Sequence, residues 1–164
     1  MVVSVGIDVS KDKHDCFIVS SEGKVLADVF MIPNTMDGFR SLLQRIWECC
    51  DSQDKIKVGL EATGHYSYNL LGFLLDNGLP TYVLNPLRTN IYRKSLSLRK
   101  TKTDRVDART IASMLLSDAG LKPYTDTAYH NEELKSLTRY RFDKVKERAK
   151  LKGSIARLVC ILFP

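Results

Sequence analysis

The chain has 164 residues, 44% of them hydrophobic, and a net charge of +6, which is enough length and apolar content for one domain with a real core. No run of eighteen apolar residues occurs, which excludes a helical membrane span. The N-terminus MVVSVGIDVSK meets Asp8 and Lys11 too early for a signal peptide, so a cytoplasmic protein is expected.

VVSVGIDV is a nearly continuous apolar run rich in β-branched residues, the pattern of a central strand covered on both sides. HDCFIVS and KVLADVFMI flank Ser-Glu-Gly, a turn signal. The three segments predict an antiparallel meander ending at Pro33. Asn34 or Thr35 is placed to cap a helix in which Phe39, Leu42, Leu43, Ile46, Trp47 and Cys50 recur at helical spacing. KIKVGLEA predicts a strand, HYSYNLLGFLLDNG a helix stopped at Gly78, and LPTYVLN another strand broken at Asn85-Pro86. Residues 86–103 are basic with weak periodicity and predict a short helix followed by a flexible loop. DRVDARTIASMLLSDAG predicts a helix closed by Gly120.

From Asn131 the pattern changes. Leu134, Leu137, Arg141, Lys144, Arg148, Leu151, Ile155, Leu158 and Leu162 alternate in steps of three and four, a heptad-like seam that is apolar at both ends and basic in the middle. It predicts a long helix leaving the domain and able to pair with another. The division expected is a catalytic domain over 1–125 and the start of a helical, coiled-coil linker over 126–164. The apolar ending at Phe163-Pro164 suggests a piece of a longer protein. Three antiparallel strands followed by strand–helix alternation predict an α/β domain of ribonuclease H-like arrangement, a mixed sheet with helices on both faces, followed by the long helix.

Charge is uneven. Residues 86–110 hold eight basic side chains (Arg88, Arg93, Lys94, Arg99, Lys100, Lys102, Arg105 and Arg109) against Asp104 and Asp107, and residues 131–157 hold nine against four acids. Two basic segments on a mildly acidic body point to a polyanion partner, although a solvated helix face has the same composition. The four cysteines form no Cys-x-x-Cys pair, so buried or half-buried thiols are expected rather than zinc. His14, His65 and His130 have no partner at metal-ligand spacing. His65 and Lys102 lie near enough to the acids to approach a phosphate.

The acids carry the chemistry. Asp8 ends the first strand in VGIDVSK and Glu61 ends the fourth in VGLEATG. A carboxylate that interrupts an apolar strand is costly unless paired or placed on a metal. Asp104 and Asp107 are three residues apart, on one helix face that continues into Ile111 and Met114. Carboxylates brought this close repel, and a hard divalent cation resolves the conflict. Each also has a local reading: Asp8 as a turn cap with Ser10 and Lys11, Glu61 as a lysine partner, Asp104 as a helix N-cap, Asp107 as a first-turn acid favoured by the helix dipole.

GIDVSK, LEATG and KTDRVDA, in this order, resemble the DEDD transposases of bacterial insertion sequences, the IS-one-ten group related to the Piv/MooV DNA invertases. The resemblance covers essentially the whole chain, and KTDRVDA is its most specific part. It implies a RuvC-like fold and a Mg²⁺-dependent activity on DNA, with Mn²⁺ able to substitute and Asp8, Glu61, Asp104 and Asp107 as metal-binding acids. It also implies a further domain carrying a nucleophilic serine, a guide RNA encoded by the element, assembly as a homodimer or larger oligomer, and a bacterial cytoplasmic setting. Two other readings compete. An actin-like ATPase shares the first loop but needs a second half and an adenosine site that this sequence does not show. A non-catalytic module for nucleic-acid binding and dimerisation would use the basic helix at 131–157.

Overall fold

The computed structural model describes residues 1–50, 52, 55–62, 64–96, 104–118 and 120–163, with the backbone alone for Leu96, Asp104, Arg105 and 126–128. Two compact units result, Met1–Tyr124 and Thr125–Pro164.

The first unit is built on a five-stranded mixed sheet in the order β3-β2-β1-β4-β5. The strands are β1 (Val3–Val9), β2 (Lys13–Ser20), β3 (Val25–Pro33), β4 (Ile56–Glu61) and β5 (Thr81–Leu84). β1 to β3 form the antiparallel meander, and β4 and β5 run parallel to β1. This is the ribonuclease H-like arrangement expected from the order of elements. β1 is central, and its apolar run is buried on both faces, with Val3, Val5 and Ile7 at 0% exposure.

One face is covered by α1 (Met36–Cys49). Thr35 caps it, its hydroxyl accepting from the Gly38 N–H at 3.2 Å. Phe39 of α1 stacks on the His14 ring of β2, Arg45 lies over Phe30 of β3, and Phe73 of α2 (Tyr68–Asp76) meets Phe39. A 3₁₀ turn over Gly64–Ser67 leads into α2, and Gly78 follows it at φ 70°. α3 (Pro86–Leu96) starts with proline at its first position, and Asn85 Oδ1 accepts from the Leu87 N–H at 2.9 Å. The Asn-Pro pair that breaks β5 thus also starts the next helix.

α4 (Asp104–Ser117) covers the other face. Phe17 and Val19 of β2 pack with its Ala108 and Ala112. The Ser4 hydroxyl donates to the Ala112 carbonyl at 2.8 Å. The approach is at backbone distance: a Cβ on Gly6 would lie 2.1 Å from the Ala108 carbonyl oxygen and 2.6 Å from the Ala112 nitrogen. Gly59 of β4 faces side chains instead, its missing Cβ 2.7 Å from Leu115.

The second unit is one 37-residue helix, α5 (Asp126–Leu162), which begins at position 126, with the heptad-like seam entering from Asn131. Its seam residues Leu134, Leu137, Leu151, Ile155 and Leu158 are exposed. Cys160 is exposed as well, against the expectation of buried or half-buried thiols; Cys16 is buried, and Cys49 and Cys50 are intermediate. Among the described residues no helix is long and apolar enough to cross a membrane.

Candidate functional site

The packing of α4 sets the positions of the acids. On β1, Ser4 touches Ala112 and Gly6 touches Ala108 and Ala112. On β4, the Lys57 amine reaches the Leu115 carbonyl at 3.5 Å and Gly59 touches Leu115 and Ile111. Two strand residues advance about 6.6 Å and four helical residues about 6 Å, so strand and helix stay in step. One further step along β1 is Asp8, and one turn back along α4 from Ala108 is position 104. One further step along β4 is Glu61, and one turn back from Ile111 is Asp107. Ile7 and Leu60 are the last registered pair between the two strands, so Asp8 and Glu61 sit side by side just past it, at the C-terminal ends of neighbouring parallel strands.

Glu61 and Asp107 line one cavity of about 280 Å³. α3 forms its other wall. The Thr89 hydroxyl donates to Glu61 Oε1 and lies 3.0 Å from the Pro86 carbonyl. One turn on, Arg93 Nη1 donates to Asp107 Oδ1 at 2.7 Å while its Nη2 donates to Asn90 Oδ1 at 2.7 Å. Asp8 is half-buried and is not among the described residues lining this cavity. The Asp104 side chain lies outside the described residues, so its N-cap and ligand readings both stand. Among the described residues no group of three or more histidine, cysteine or acidic side chains forms a cation-holding cluster.

Two participants escaped the sequence reading. Thr89 is buried at 6% exposure, yet in a polar, basic stretch nothing marks it as inward-facing. Asp15 is the registered antiparallel partner of Asp8 and is 6% exposed. Its signal was present: Asp15, Phe17 and Val19 alternate on one face of β2, so the acid occupies an inward position.

The basic residues at 86–110 do not form a uniform free patch. Arg88 pairs with Asp118 at 2.6 Å, Arg93 with Asp107, and Arg109 with Asp28 while lying over the Phe17 ring. Lys94 is exposed. Arg99, Lys100, Lys102, Thr63 and the expected loop at 97–103 lie outside the described residues, as does the Arg105 side chain. His14 is a core residue on the α1 face. His65 is exposed with its ring against Tyr66, and Gly64 turns at φ 73° directly after β4 and Ala62-Thr63.

The chain is similar to several known proteins. A Streptomyces coelicolor protein named for the transposase of the IS117 mini-circle is 28% identical over 167 residues, covering 100% of this chain and 39% of its own length. The pilin gene-inverting protein of Moraxella bovis is 31% identical over 109 residues, 66% of this chain and 32% of that protein. This chain thus spans well under half the length of the relatives it matches. Among solved structures, Thermus thermophilus RuvC in complex with a Holliday junction substrate matches at TM-score 0.49 and 13% identity, over 76% of this chain and 100% of that one. The family model described as a transposase, DEDD type of the IS110 group, matches residues 5–164. The chain belongs to the DEDD transposase family of the IS110 type.

Proposed function

We propose that residues 1–125 are the divalent-metal-dependent catalytic domain of a bacterial DNA transposase, acting on DNA phosphodiesters, and that α5 begins a pairing linker. The observation that carries this is the shared cavity of Glu61 and Asp107, a strand-end acid and a helix acid that the chain separates by 46 positions (107 − 61). The donor set fits the ion. Its groups are hard carboxylate oxygens, and Mg²⁺ uses one or two carboxylates together with waters and substrate phosphates. Asp8 and Asp104 complete the set on the resemblance of GIDVSK and KTDRVDA to the family. A divalent cation held by these acids would supply Lewis-acid polarisation of a phosphodiester oxygen and offset developing negative charge. Around these acids, Thr89 bonds Glu61 and Arg93 pairs with Asp107.

The polyanion grip falls to the exposed Lys94 and to the basic residues flanking Asp104 in the sequence, with the basic middle of α5 adding to it. Family membership supports DNA as the partner. A guide RNA, a homodimeric or larger assembly and a cytoplasmic setting follow from the same resemblance, and the exposed α5 seam supports pairing. The second reading, a nucleic-acid-binding and dimerisation module without catalysis, is favoured by α5 alone.

Mn²⁺ titration separates the two. The wild-type chain is expected to bind Mn²⁺, and Glu61→Gln and Asp107→Asn to weaken it by roughly tenfold or more, at least the loss seen when outer partners of a metal are removed. Equal or negligible binding in all three proteins, with and without a DNA duplex, would establish the module reading instead. Duplex affinity should fall steeply with added salt, because phosphate neutralisation releases counterions.

A further inference from the structure

We propose that Arg93 is an exchangeable counter-charge of the carboxylate cavity: its guanidinium neutralises Asp107 while no cation is held, and passes to a non-bridging oxygen of a bound phosphodiester when the cation takes Asp107. The proposal rests on the metal reading above and adds a residue and an order of events to it.

The geometry supplies the starting position. Arg93 and Asp107 both line the cavity and meet at 2.7 Å through Nη1 and Oδ1. The oxygen that accepts from Arg93 is the kind of donor a hard cation needs. A cation drawn to this carboxylate repels the guanidinium already bonded to it. Entry of the ion therefore weakens the Arg93 contact and favours transfer of the guanidinium to an incoming phosphate.

The surroundings allow release without disrupting the helix. α3 is anchored independently of Arg93. Thr89 is bonded to Glu61, and Tyr92 packs against Leu84, Ile111 and Met114 with its hydroxyl 2.9 Å from that of Ser117. The Arg93 and Asp107 side chains are 24% and 19% exposed, so both are partly open to solvent. Asn90 Oδ1 holds Nη2 at 2.7 Å, a second tether that keeps the released group at the cavity mouth. Guanidinium recognises carboxylate and phosphate with the same fork of donors, so the exchange costs no change of chemistry.

The test uses the 164-residue chain, Mn²⁺ and a short labelled DNA duplex at fixed ionic strength. Arg93→Gln removes the charge and Arg93→Lys keeps it while losing the fork. Without DNA, Arg93→Gln should bind Mn²⁺ tighter than wild type by roughly threefold to tenfold, the worth of one partly exposed charge-assisted pair. Without cation, Arg93→Gln and wild type should bind the duplex alike, because Arg93 is engaged on Asp107. With Mn²⁺ present, Arg93→Gln should bind the duplex several-fold more weakly, and Arg93→Lys should fall between. A loss of duplex affinity that is the same with and without Mn²⁺ overturns the exchange, as does an unchanged Mn²⁺ affinity in Arg93→Gln when Asp107→Asn has lost it. Wild-type Mn²⁺ binding that Asp107→Asn leaves intact sinks the metal reading, and the exchange falls with it. Thermal unfolding of both Arg93 variants near the wild-type temperature shows that the comparison is between folded proteins.

Discussion

The two faces of the sheet are both buried but are built from different residues. Toward α1, the sheet presents large side chains: Val5, Ile7, Ile18 and the His14 ring, met by Phe39, Leu42 and Ile46. Toward α4, each of three strands carries an acid at the same edge of the sheet, and β1 and β4 carry a glycine two residues before it. β1 runs Ser4, Gly6, Asp8, β4 runs Lys57, Gly59, Glu61, and β2 runs Val19, Phe17, Asp15. The first face buys stability through apolar area. The second gives up apolar area at its glycines so that a helix backbone can approach, and places its acids where that helix begins. Stability and cation binding should therefore be separable by mutation.

The largest expected effect lies on the α1 face. Leu42 is fully buried, and Leu42→Ala should cost about 2–5 kcal/mol in denaturant unfolding while leaving the Mn²⁺ affinity of the folded molecule unchanged. An affinity loss there would mean that the faces are not independent. Next is Gly6→Ala. The added carbon would meet the Ala108 carbonyl at 2.1 Å, backbone that cannot turn aside, so α4 must shift. A cost of about 1–3 kcal/mol is expected, here together with weaker Mn²⁺ binding. Stability loss without any affinity change would show that the acids do not depend on the seating of α4.

A smaller effect is expected at Thr89→Val, which keeps shape but removes the hydroxyl on Glu61. The change should weaken Mn²⁺ binding by less than about tenfold, the worth of one hydrogen bond, with the unfolding temperature nearly unmoved. The smallest effect concerns His14. Burial lowers its pKa below 6.5, partly opposed by Asn34, the Lys13 backbone and Asp15. The unfolded chain thus takes up a proton near pH 6.5 that the folded chain refuses, so stability present above that pH is lost as pH falls through it. Unfolding curves from pH 7.5 down to 5.5 should show a shallower decline in His14→Gln than in wild type; parallel declines would assign the acid sensitivity to other groups.

What the sequence disclosed follows from how each signal is encoded. β1 and α1 are strongly patterned, and both appear where expected. The neighbouring ends of β1 and β4 were legible because each acid interrupts an apolar run. α3 was only partly legible. Its apolar residues Leu87 and Ile91 are 71% and 68% exposed, so hydrophobic spacing points away from its working face. The contacts that matter there, Thr89 to Glu61 and Arg93 to Asp107, join residues far apart in the chain, and composition records such pairs poorly. The eight basic residues read as one patch, whereas three of the four whose side chains are described are engaged by acids, two of those acids lying outside the basic stretch.

The backbone contact at Gly6 also bears on how this chain tolerates changes in length. The rotational setting of α4 is fixed where Ala108 and Ala112 rest on Gly6, not by the chain leading up to it. A single residue inserted between Ala108 and Ala112 turns everything on one side of it by about 100°, and carries Asp107 away from Glu61 if the downstream half keeps its seat. Variation in length is thus expected to be purged within the second and third turns of α4.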